Sequence, residues 1–181
     1  MKRSVWITYA AIIAALYVVL TFSFMFMSKD VLQLRVAEAL TILPVFTSAA
    51  IPGLFVGCLI SNIILGATVV DIMFGSLATL LAAILTYKLK NRKWLAPLPP
   101  VLVNAIIVGG YLEGLYSMGS AAHGFFQAIS PVALPEMPLI YSMLLVGVGQ
   151  VGACYLIGMP LMFLLNKYKN VIFNYKMRGE Q

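Results

Sequence analysis

The sequence predicts an all-α polytopic membrane protein: one domain, residues 1–181, folded as a bundle of six transmembrane helices with both termini cytoplasmic. Three observations carry this. Of the 181 residues, 62% are hydrophobic and only 10% charged, whereas soluble globular chains carry about a quarter charged residues. Apolar runs recur along the chain, several approaching the roughly 20 residues that cross a bilayer core. Ten of the twelve basic residues fall in three short segments, 2–3, 88–93 and 167–178, and loops rich in Lys and Arg stay on the cytoplasmic side. That placement accounts for the net charge of +6 as a topology signal, with no nucleic acid as partner.

The first helix takes residues 4–27. It is apolar for longer than the roughly 7–15 residues of a signal-peptide core, so it is expected to be retained, running outward from Lys2 and Arg3 to residues 28–30. The basic cluster at 88–93 is again cytoplasmic, which requires an odd number of crossings between Asp30 and Lys88. One crossing cannot use that much chain; three is the natural count. Breakers set them at 36–49, 52–65 and 71–87. Pro52 suits the first turn of a helix, and Gly66 suits a helix end. The first two segments have 14 residues each and are short for a bilayer, which implies local thinning or shelter among longer neighbours. Trp94 is an expected interface anchor. Pro97, Pro99 and Pro100 lead into a fifth helix at 101–118. Residues 119–137 form a long connector, of the kind that often serves as a lid, and His123 within it reads as an ordinary loop histidine. A sixth helix, 138–165, returns to Lys167 and Lys169.

Polar groups inside so apolar a chain are costly and mark function. In LQLRVAEALTILP (32–44), Arg35 and Glu38 are three positions apart and would share a helix face. They either line a small-molecule site or simply pair at the interface. Asn62, Asp71, Tyr111 and Glu113 fall at a similar outer depth, with Gln150 nearer the middle, as a site between helices requires. Plainer roles are open for each: Asp71 complements a helix N-terminus, Asn62, Gln150 and the deeper Asn104 bond neighbouring helices, and Tyr111 anchors at the interface. Asn104 and Glu113, nine positions apart, face one site only if Gly109 and Gly110 distort their helix. On helix one, YAAIIAAL (9–16) sets Ala10 and Ala14, and likewise Ala11 and Ala15, four apart, a pattern that lets another helix approach closely.

Cys58 and Cys154 both sit in apolar runs and read as free buried thiols; no metal site is expected. The chain lacks a phosphate-binding loop, a His-Glu-x-x-His motif and a nucleophile elbow. It is therefore not expected to hydrolyse ATP itself, to act as an enzyme or to carry a cofactor.

The segments RVAEALTILP (35–44), AAIPGLFVGCLISN (49–62), DIMFGSLATLLAAILTYKLK (71–90), WLAPLPPVLVNAIIVG (94–109) and VGVGQVGACYLIGMPL (146–161) together resemble the QueT-type substrate-binding subunits. Those are S components of energy-coupling-factor (ECF) transporters, assigned to queuosine precursors. The likeness runs from helix one to helix six and is weakest over 119–137. It implies a multi-pass protein of the bacterial plasma membrane, six helices with short second and third members, and substrate capture from outside. It also implies a separate transmembrane (T) subunit and two ABC ATPase subunits as partners, with the alanine face of helix one, Ala10 and Ala14 above all, against the T subunit. A deazaguanine base presents a ring N–H beside an amino group, which one carboxylate can accept in a forked pair. On that resemblance Glu113 or Glu38 reads the base, and Gln150, Asn62 or Arg35 donates to its carbonyl. Tyr111 stacks on the ring, and Asp71 meets an aminomethyl charge. An S component for another vitamin-like molecule, a solitary secondary transporter or channel, and a membrane enzyme are the competing classes.

Overall fold

Where water is absent, a backbone must satisfy its own hydrogen bonds, and helices do so within one segment. The computed structural model describes residues 3–25, 35–117 and 139–172, with side chains for all of these except 111–117, 139, 141, 142, 170 and 171. Among the described residues there are helices and no strand. Helix α1 is Arg3–Ser23, α2 is Val36–Val45 and α3 is Ala50–Ile64. Helix α4, Asp71–Lys88, opens with a π turn over Asp71–Gly75. Helix α5 is Leu98–Ser117. Helix α6 runs through Leu139–Val151, a second π turn Gly152–Ile157, and Gly158–Ile172.

Among the described residues, Arg3–Ser23, Asp71–Lys88 and Met143–Lys169 are long and apolar enough to cross a membrane, while Val36–Val45 and Ala50–Ile64 are shorter. The outer surface carries Ile12, Leu16, Ile63, Leu77, Leu102, Ile106, Leu144 and Leu156, all well exposed, while Glu38, Asn62, Thr79, Asn104 and Gln150 are buried. Apolar outside and polar inside is the arrangement of a protein solvated by lipid.

The described parts of the basic segments gather at one end. The Tyr9 hydroxyl donates to the Ile172 carbonyl, Lys93 Nζ donates to Asn166 Oδ1 at 2.9 Å, and Trp94 meets Phe163 edge to face. The start of α1, the α4–α5 connection and the end of α6 therefore share a level, with Trp94 exposed there.

Helix α2 departs from expectation. The sequence predicts one α-helix over 36–49; the structure gives a 3-10 helix that stops at Val45. Two local causes favour the tighter winding. Pro44 has no N–H to donate, and the Thr41 hydroxyl takes the Glu38 carbonyl at 2.6 Å, three residues back. Ten 3-10 residues also cover about 20 Å, against about 15 Å in α form. Three residues per turn divide α2 into rows. Ala37, Leu40 and Leu43 enter one apolar cluster with Ile13, Leu54 and Ala83 from α1, α3 and α4. Ile42 packs on Met159 and Met162 of α6. The third row holds Glu38 and Thr41.

Helices α1 and α3 meet along a small-residue seam. A Cβ on Gly53 would lie 2.7 Å from the Ala10 carbonyl oxygen, and one on Gly57 would lie 2.8 Å from Tyr17 Cβ and 3.0 Å from the Ala14 carbonyl. The same device joins α5 to α6, where a Cβ on Gly109 would lie 2.6 Å from Met143 Cα. Helix α5 stays regular through Gly109 and Gly110; the glycine at 109 serves close approach rather than distortion. Helix α3 ends as Gly66 permits: its φ is +66°, Gly66 N–H bonds the Ile63 carbonyl at 3.1 Å and Ala67 N–H bonds Asn62 O at 2.9 Å, a Schellman closure.

Candidate functional site

The third row of α2 points into the middle of the bundle, and every other helix sends a polar group towards it. Glu38 is 1% exposed. Its Oε1 accepts from the Tyr17 hydroxyl of α1 at 2.6 Å and lies 3.4 Å from Thr79 Oγ1 of α4. Its Oε2 accepts from Asn104 Nδ2 of α5 at 3.4 Å. Thr79 also reaches Cys58 Sγ of α3 at 3.5 Å, and Cys58 lies 3.6 Å from Asn62 Nδ2. From α6, Cys154 Sγ lies 3.7 Å from the Glu38 carbonyl, 3.7 Å from Gln150 Oε1 and 3.8 Å from Thr41 Oγ1. All six helices thus contribute to one connected set centred on a carboxylate.

The depth of this set follows from the helices. Tyr17 lies about 21 Å along α1 from Arg3, and Asn104 about 9 Å along α5 from Leu98, at 1.5 Å per residue. Glu38 therefore sits well inside the bundle, joined to the residue that the sequence placed deepest, Asn104.

An ionised carboxylate offers about four acceptor positions. Tyr17 takes one on Oε1 and Asn104 one on Oε2. Thr79 has a single proton and an alternative acceptor, the Gly75 carbonyl at 3.1 Å. With that proton on Gly75, the described residues place one donor on each Glu38 oxygen, the spacing a two-donor edge would extend.

Asn62 and Asp71 meet differently from expectation. Asn62 Nδ2 donates to the Asp71 backbone carbonyl at 3.1 Å, beside the π turn. The Asp71 carboxylate accepts from Thr68 Oγ1 at 3.0 Å while Asp71 N–H donates back to it at 3.2 Å, a reciprocal cap on the start of α4. Arg35 stands just before α2 in extended conformation (φ −87°, ψ 98°) and is half-buried. The expected helix face shared by Arg35 and Glu38 is absent, because the helix begins only after Arg35. Gln150 is buried in α6. Tyr111 and Glu113 lie on α5, but their side chains, like His123 and residues 119–137, lie outside the described residues. Of the helix-one alanines, Ala14 is buried and the Ala10 carbonyl faces Gly53 of α3, whereas Ala11 and Ala15 are exposed.

Tyr17, Thr41, Thr79 and the two thiols were not singled out from sequence as site residues. The signal that would have found most of them is spacing. Glu38/Thr41, Cys58/Asn62 and Gln150/Cys154 are each three or four apart, a polar stripe on an apolar helix.

No curated protein and no solved structure matches the chain. A family model described as QueT transporter matches residues 7–167, a span that takes in all six helices. A membrane bundle of buried polar groups and apolar exterior, matched over nearly its whole length, belongs to the QueT transporter family.

Proposed function

We propose that this protein is the substrate-binding S component of an ECF-type importer, a six-span subunit of the bacterial plasma membrane that captures a queuosine precursor from outside. It passes the substrate inward with a T subunit and two ABC ATPases. The observation that carries the reading is the buried Glu38 carboxylate, met by polar side chains of α1, α4 and α5 and, among the described residues, taking one donor on each oxygen when Thr79 bonds Gly75. A deazaguanine base offers the matching edge, a ring N–H beside an amino group, and charge-assisted pairs of this kind are strong and directional. Asn62 and Gln150, buried nearby, supply further amide groups. Glu113 stands as the alternative base-reading acid, Tyr111 as the stacking group, and Asp71 as the partner of an aminomethyl charge. The exposed Ala11 and Ala15 offer the flatter outer face of α1 to a T subunit, since Ala10 and Ala14 are turned to α3.

The test is direct binding. Purified protein in nanodiscs is titrated with a 7-deazaguanine base bearing an aminomethyl group and with queuine, using calorimetry, with guanine as competitor. Saturable binding that is lost in Glu38→Gln supports the reading with Glu38 as the reader; loss only in Glu113→Gln moves that role to Glu113. Absence of binding to either base, or unchanged binding in both variants, overturns it. Tagged protein expressed with its host's membranes should also retain ATPase subunits; repeated failure favours a solitary transporter.

A further inference from the structure

Hydroxyls inside these helices have a standard outlet. Thr8, Thr21, Ser61 and Thr79 each donate to the carbonyl four residues back, onto Ser4, Tyr17, Gly57 and Gly75, at 2.7–3.1 Å. Ser76 does not. Its residue is 1% exposed, and Ser76 Oγ is the one buried side-chain oxygen or nitrogen without a hydrogen-bond partner among the described residues. The π turn lies directly before it: the carbonyl four back belongs to Ile72, inside Asp71–Gly75, and Ser76 N–H bonds Met73 O, three residues back rather than four. An unsatisfied buried hydroxyl is a standing cost, and π turns of this kind are frequent at functional sites.

Position gives the hydroxyl a direction. Ser76 and Thr79 are three apart in the regular part of α4, so their Cβ atoms are about 5–6 Å apart on one face, and Thr79 is the residue that reaches Glu38 Oε1 at 3.4 Å. Ser76 thus lies one helical turn from the residue that reaches the Glu38 carboxylate. In a deazaguanine base the ring carbonyl is adjacent to the ring N–H that Glu38 would accept.

We infer that Ser76 is a further substrate-binding residue, whose hydroxyl is kept free by the π turn to donate to the ring carbonyl of the base. This rests on the function proposed above. It assigns to the π turn of α4 the task of withholding a helix's usual acceptor from one side chain.

The experiment compares two ligands on wild type and Ser76→Ala in nanodiscs: the 7-deazaguanine base and its 6-thioxo analogue, which keeps the ring N–H and amino group but replaces the carbonyl oxygen by sulfur, a weak acceptor. The alanine variant should bind the carbonyl-bearing base about three- to tenfold more weakly and the analogue unchanged. Its ligand-free melting temperature should hold or rise, since the lost hydroxyl had no partner. Equal affinity of wild type and variant for the carbonyl-bearing base overturns the assignment and leaves the hydroxyl to an ordered water. An equal loss for both ligands also overturns it, as a structural effect. Wild-type protein that binds neither ligand removes the functional reading itself and this assignment with it, an outcome distinct from the other two.

Discussion

Helix α1 takes part in two interiors that are built oppositely. Towards α3 it presents the Ala10 and Ala14 backbone to Gly53 and Gly57, with no room for one added carbon. Towards α2 it presents the Tyr17 hydroxyl to a buried carboxylate. Helices in lipid gain little from hiding apolar surface from each other, because the lipid is equally apolar. The seam is held by close packing, so its integrity is a matter of shape. The centre is different. Burying Glu38 is costly even with Tyr17 and Asn104 bonded to it, so the carboxylate is a poor device for stability and suits the recognition role proposed above. The contrast sets what holds the bundle together against that proposed role.

The sharpest way to break the comparison is Gly57→Leu. A Cβ there already meets Tyr17 Cβ and the Ala14 backbone, neither of which can swing aside, so α1 and α3 must part. The expected result is loss of a monodisperse folded species on size exclusion in mild detergent. A folded Gly57→Leu protein of ordinary melting temperature would contradict the account of the seam. Next in size is Glu38→Gln, which keeps the shape and removes the charge. Charge-assisted hydrogen bonds contribute about 1.5–3 kcal/mol, so base affinity should fall about ten- to a hundredfold by calorimetry. The melting temperature should change little, the reverse of the glycine variant. A variant that loses stability as well as affinity would show that the centre also holds the fold. The smallest effect belongs to Gly66→Ala at the end of α3. A left-handed residue with a Cβ costs about 1–2 kcal/mol, read as a few degrees of melting temperature with base affinity unchanged.

Much of the bundle was legible in advance, for reasons that differ by element. Long apolar runs and the placement of Lys and Arg are global signals, and they gave the helical stretches, Gly66 as a terminator and a short second and third helix, though α2 stops at Val45 rather than 49 and α6 runs on to Ile172 rather than 165. The winding of α2 was not legible. It depends on Pro44, which is visible in a sequence, and on Thr41 bonding back to Glu38, which is not. The seam was half read: the alanine pairs of α1 were seen, while Gly53 and Gly57, spaced identically in GLFVG, were not connected with them. In the site, Glu38, Asn62, Asn104 and Gln150 stood out because amides and carboxylates are rare in such segments. Tyr17, Ser76, Thr79 and the thiols did not, because hydroxyl and sulfhydryl groups pass as ordinary in a helix until a neighbour is known.

The 3-10 winding of α2 has a consequence for how this stretch can vary. With three residues to the turn, every third side chain returns to the same bearing, and the rows of Ala37, Leu40 and Leu43, of Ile42, and of Glu38 with Thr41 each meet a different wall. Exchanging Leu40 or Leu43 for another aliphatic residue alters one contact. Removing Ala37 would turn everything beyond it by about 120°, setting the carboxylate against the apolar cluster of Ile13, Leu54 and Ala83 and an alanine in its former place. An ordinary connector absorbs a change of length; here the count of residues decides which wall each side chain meets.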